Sequence, residues 1–125
     1  MQKLEITATD RSPEVSFDFD NHHLAMKGES YPEDVTTFYK PVFDALGAYL
    51  ESLGGEGCRV DFGLIYFDSS SAKALLMKLD EAAEYGASVS IRWYYDTEDD
   101  TMRALGEEFG EDLVHASFHV DEMDD

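Results

Sequence analysis

Val15, Phe17 and Phe19 alternate with Ser16, Asp18 and Asp20, and after Asn21-His22-His23 the alternation resumes at Leu24 and Met26. This predicts a hairpin with one wet face. Ser30-Tyr31-Pro32-Glu33 has capping-box spacing and opens a predicted helix on which Val35, Phe38, Tyr39, Val42, Leu46, Leu50 and Leu53 recur at helical intervals, with Gly54-Gly55 as its stop. Pro41 removes one backbone bond, yet the apolar phase passes through it unchanged, which predicts one kinked helix rather than two. A strand follows from about Arg59 to Phe67, with Val60, Phe62, Leu64 and Tyr66 on one face. The next helix starts after Ser69, carries Ala72, Leu75, Leu76, Leu79, Ala82 and Ala83 on its apolar side, and is capped by Gly86. Val89, Ile91, Trp93 and Tyr95 then alternate with Ser90, Arg92 and Tyr94; Thr97 caps a third helix bearing Met102, Leu105 and Phe109; and Val114, Ala116, Phe118 and Val120 form a last strand. The acidic end, residues 121–125, is expected to fray.

Strand, helix and strand at this spacing make a βαβ crossover with parallel strands. Because several strands alternate cleanly, one face of the sheet should be solvated. The expectation is an α/β fold: a single domain over residues 1–125, with a mixed β-sheet and helices packed mainly on one face. No Gly-x-Gly-x-x-Gly follows a strand and no Gly-Lys-Ser or Gly-Lys-Thr loop occurs, so dinucleotide and P-loop chemistry lack a phosphate cradle. No cofactor is expected.

Composition narrows the partners more than the fold. A formal net charge of −19 with no local basic patch disfavours nucleic acid and anionic membrane surfaces. The lone Cys58 allows no internal disulfide and the start lacks the apolar run of a secretion signal, so a cytoplasmic setting is expected. His115 and His119 would lie roughly 13 Å apart on one strand, too far to share an ion, and His22-His23 fall in a turn. No calcium loop of the Asp-x-Asp-x-Asp-Gly kind is present, and no metal is expected.

The candidate chemistry lies at Tyr66-Phe67-Asp68-Ser69-Ser70-Ser71-Ala72-Lys73, where an apolar strand ends in an acid and hydroxyls open a helix. Unpaired N–H groups and partial positive charge at a helix start favour a phosphate, so Ser69 or Ser70 is a candidate switch. The same serines also fit a plain helix cap. Ser70-Ser71-Ala72-Lys73 further matches the Ser-x-x-Lys spacing of penicillin-recognising hydrolases, but the Lys-Thr-Gly and Ser-Asp-Asn motifs that complete such sites are missing. Lys73, one turn after Ser69, can meet a phosphate there or simply be solvated. Tyr31 and Tyr94, if near this corner, could form a rim that a partner recognises.

The Asp68-Ser69-Ser70 corner resembles the phosphorylation corner of STAS-type anti-anti-sigma factors. The set Gly28-Glu29-Ser30-Tyr31-Pro32-Glu33, Tyr66 to Lys73, Trp93-Tyr94-Tyr95-Asp96 and Gly106-Glu107-Glu108-Phe109 resembles, in order and over nearly the whole chain, the SiaC family of regulatory phosphoproteins. That resemblance implies a STAS-like, non-catalytic adapter whose unphosphorylated form binds and activates a diguanylate cyclase in cyclic-di-GMP signalling. A protein serine/threonine kinase and a PP2C-type phosphatase would set its state. The family's acceptor is the threonine of a Leu-Asn-Thr-Ser-Ser corner, which matches Ser69; Asp68 replaces the asparagine, and Asp34 also stands where the family often has asparagine. The alternative is an anti-anti-sigma-like adapter in a different partner-switching pathway. Tyr31, Asp68, Ser70, Lys73 and Tyr94 are the expected surroundings of the site.

Overall fold

The computed structural model describes residues 3–30, 34–67 and 69–123. Its elements are β1 (Leu4–Ile6), β2 (Glu14–Asp18), β3 (His23–Ser30), α1 (Val35–Leu53), β4 (Gly57–Phe67), α2 (Ser69–Glu84), β5 (Ser88–Tyr95), α3 (Asp100–Asp112) and β6 (Ser117–Glu122). One mixed sheet has the order β1-β2-β3-β4-β5-β6. The first two pairings are antiparallel and the remaining three parallel. Each helix therefore carries the chain one strand further in the same direction. Crossovers of one hand then put all three helices on one face and leave the other uncovered, as the alternation requires.

Burial follows that division. Leu24, Met26, Val60, Phe62, Leu64, Val89, Ile91 and Trp93 face the helices and are buried with Val42, Leu46, Leu75, Leu76 and Leu79. On the open face a row crosses the strands through Ser16, Ala25, Asp61, Arg92 and His119. Pro41 sits inside α1, which continues through it as one helix. The apolar face of α1 also holds Tyr49, stacked on Phe19 at 4.9 Å and bonded through its hydroxyl to His22 Nδ1 at 2.7 Å.

Several boundaries differ from the sequence reading. β1 was not expected: three residues are too few for alternation to register, but Leu4 and Ile6 pack on the core while Glu5 stays exposed. The cap of α1 is Asp34, not Ser30. Its carboxylate accepts the Thr37 amide at 3.1 Å and the Thr37 hydroxyl at 2.8 Å, and these bonds hold it below the usual carboxylate range. Ser30 instead ends β3 fully buried, its hydroxyl paired with that of Tyr39. Tyr31, Pro32 and Glu33 lie outside the described residues. Asp99 rather than Thr97 caps α3, accepting the Met102 amide at 3.0 Å, since a carboxylate outranks a threonine hydroxyl at that position.

At the end of the chain β6 begins at Ser117, so His115 does not share a strand with His119. The acidic segment expected to fray is held as far as Met123. Glu122 pairs with Tyr95, Arg92 Nη1 meets Asp121 Oδ2 at 2.9 Å, and the Met123 amide donates to the Tyr95 carbonyl at 2.8 Å.

Candidate functional site at the corner between β4 and α2

β4 is flanked by parallel neighbours on both sides, and the chain turns from its last residue, Phe67, into α2 at Ser69. Because β3, β4, β5 and β6 run parallel, α1, α2 and α3 all begin at the same end of the sheet, the end where α/β folds gather their ligands. Carboxylates already serve the N-termini of α1 and α3 through Asp34 and Asp99. α2 opens on three serines, and like α1 it has no acid within its first turn, whereas α3 carries Asp100 there. Ser69 is the first helical residue, Ser70 is exposed and Ser71 is buried. Asp68 lies outside the described residues. An anion carried on the first residue of this helix would lie beside main-chain N–H groups that have no partner within the helix.

The expected surroundings are only partly gathered there. Lys73 Nζ lies 3.9 Å from Asp112 Oδ2 at the last residue of α3, with both side chains more than half exposed, so the pair is loose and open to exchange. Tyr94 stands on the open face, half-buried. β4 and β5 pair at Phe62 and Trp93, so Tyr94 is roughly 13 Å back along the strand direction from Phe67. Its hydroxyl meets the Arg59 guanidinium, and Asp61 beside Arg59 is the main cause that raises that guanidinium's affinity for its proton. Asp61 accepts from His23 Nε2 at 2.7 Å and from Arg59 Nε at 3.2 Å. Tyr94 thus belongs to an open-face network, and Tyr31 lies outside the described residues.

Two acids matter that the sequence reading passed over. Asp61 is that network's buried centre. Asp80, on the inner side of α2, accepts the amides of His115 at 2.9 Å and Ala116 at 2.8 Å and so ties α2 to the segment before β6. The signal was present: Ala72, Leu76 and Asp80 recur every four residues, placing an acid on an otherwise apolar stripe.

Catalytic chemistry finds little support among these groups. Burial pushes the Cys58 thiol up to about 11, which keeps it protonated and inert at neutral pH. Ser70 is exposed and Lys73 leans toward Asp112, an arrangement unlike the enclosed serine and lysine of a hydrolase. Among the described residues no group of three His, Cys, Asp or Glu side chains could hold a metal ion, and no helix is long and apolar enough to cross a membrane.

The family model described as SiaC family regulatory phosphoprotein matches residues 6–123. An uncharacterised protein of Pseudomonas aeruginosa (strain UCBPP-PA14) is 36% identical over 115 residues, which is 90% of each chain. The crystal structure of apo-SiaC from Pseudomonas aeruginosa superposes with a TM-score of 0.88 at 31% identity, over 97% of this chain and 99% of that one. SiaC in the crystal structure of the diguanylate cyclase SiaD with its activator SiaC, from the same organism, gives a TM-score of 0.85 at 33% identity, over 96% of this chain and 99% of that one. With its strand-to-helix serine corner, its one-sided helix layer and a family match over nearly its whole length, the chain belongs to the SiaC family of regulatory phosphoproteins.

Proposed function

We propose that this protein is a cytoplasmic, non-catalytic switch that binds and activates a diguanylate cyclase while Ser69 is unmodified. Phosphorylation of Ser69 by a protein serine/threonine kinase releases the cyclase, and a PP2C-type phosphatase restores binding. The observation that carries this reading is the likeness, over 96% of the chain, to SiaC as it occurs in complex with the diguanylate cyclase SiaD. The choice of Ser69 rests on its position as the first residue of α2, where the resemblance to the family puts the acceptor threonine.

The chemistry of release is electrostatic and solvational. A phosphoserine brings about −1.5 to −2 charges and a tightly held hydration shell. The helix start favours that charge, the neighbouring Asp68 opposes it, and Lys73 can leave Asp112 to meet it. A partner that covers the corner must strip water from the dianion, and each 1.4 kcal/mol of that cost lowers affinity about tenfold. The test uses the source organism's SiaD-type diguanylate cyclase, assayed for cyclic-di-GMP formation, together with peptide mapping of the protein recovered from its cell. Phosphate should map to Ser69. Ser69→Ala should activate like the wild type, and Ser69→Glu should need at least about tenfold more protein for the same activation. Equal activation by wild type, Ser69→Ala and Ser69→Glu overturns the proposal.

A further inference from the structure

The outward face of α2, away from the serine corner, carries a second feature. Four large apolar side chains stand out among the described residues, and two of them belong to this helix and its end: Met77 is 42% and Tyr85 80% exposed. They are eight residues apart, about 12 Å along a helix axis. Beside them two open cavities of 320 and 510 Å³ share Lys78, Glu81 and Tyr85. The smaller runs between α1 and α2 at Gly47, and the larger is lined in part by Phe43 and Met77. Gly47 keeps the smaller one open to the Lys78 stem, because an added Cβ there would stand 3.1 Å from Lys78 Cε.

The walls decide what could sit there. Glu51, Glu81 and Glu84 outnumber the single cation, Lys78, in a chain whose net charge is already −19. An acidic or neutral polar occupant would be repelled or indifferent, whereas Lys and Arg flanking an apolar stripe would meet both chemistries. A trough between two helices with apolar anchors two turns apart fits a third helix laid along it. We propose that the groove between α1 and α2 docks a cationic amphipathic helix of the diguanylate cyclase, with Met77 and Tyr85 as its apolar anchors. This inference rests on the function proposed above.

The groove and the serine corner divide the work. Ser69 is eight residues before Met77, again about 12 Å, which exceeds the Debye length of about 8 Å at physiological salt. A phosphate at Ser69 therefore adds little to the attraction exerted in the groove, and its desolvation cost acts at the corner.

The experiment measures affinity of the full chain for the purified cyclase at several salt concentrations. Met77→Ser combined with Tyr85→Ser should weaken binding at least about tenfold, and Glu81→Lys combined with Glu84→Lys should weaken it and flatten its salt dependence. His119→Ala and Lys27→Ala, on the open sheet face, should bind within about twofold of wild type. Hydrogen exchange should show new protection in α1 and α2 and none in β6. Wild-type binding that the groove variants leave intact overturns this inference alone. Failure of the wild type to bind overturns the cyclase reading and removes the occupant with it. Loss of self-association in Met77→Ser with Tyr85→Ser, with cyclase affinity unchanged, gives the groove to a second copy of this chain and also overturns the inference.

Discussion

Gly106 shows how much a single residue can hide. A Cβ built there would lie 2.4 Å from Trp93 Cδ1 and 2.7 Å from Nε1, inside any allowed contact. The indole cannot step aside, because its N–H donates to the Met102 carbonyl at 3.0 Å and its ring meets Phe109 edge-on at 5.5 Å. Gly106→Ala is expected to cost about 1–3 kcal/mol through overpacking. Urea unfolding followed by fluorescence of Trp93, the sole tryptophan, should show the lower midpoint. Sequence alone showed Trp93 facing inward, because strand alternation is strict. It could not show why residue 106 lacks a side chain, since that depends on which ring α3 crosses.

At the scale of elements, Asp80 is the joint between the second helix and the last strand. Replacing it with alanine leaves the His115 and Ala116 amides without their carboxylate. Asp80→Ala should therefore destabilise by roughly 1–3 kcal/mol and, in hydrogen exchange, raise the rates at His115 and Ala116 above those of the β6 ladder. The same joint explains a misread boundary. Val114, Ala116, Phe118 and Val120 alternate like a single strand, but the pull of Asp80 on two successive amides shapes 115–116 as a bend and leaves Val114 75% exposed. Long-range polar partners of this kind are invisible to periodicity. Elements whose pattern ran for five residues or more, such as β2, α2 and β5, were legible in the sequence.

For the whole molecule, charge is the dominant quantity. Acids outnumber bases 28 to 9, so the folded state repels itself and screening should relieve the repulsion. Raising NaCl from about 10 to about 300 mM should lift the melting temperature by a few °C, measurable by calorimetry; a flat or falling trend would mean that the ion pairs contribute more than the repulsion. The candidate site was legible because a strand-to-helix corner is local, whereas the groove between α1 and α2 exists only once two helices lie side by side. The first strand, too short to be seen in the pattern, has a kinetic meaning. Its three residues pair with Val15, Ser16 and Phe17 of β2 and cover an edge that would otherwise offer a row of free main-chain groups. So small a patch opens long before the domain unfolds, so the lifetime of β1 on the sheet, more than global stability, sets how readily two opened molecules join edge to edge and start to aggregate.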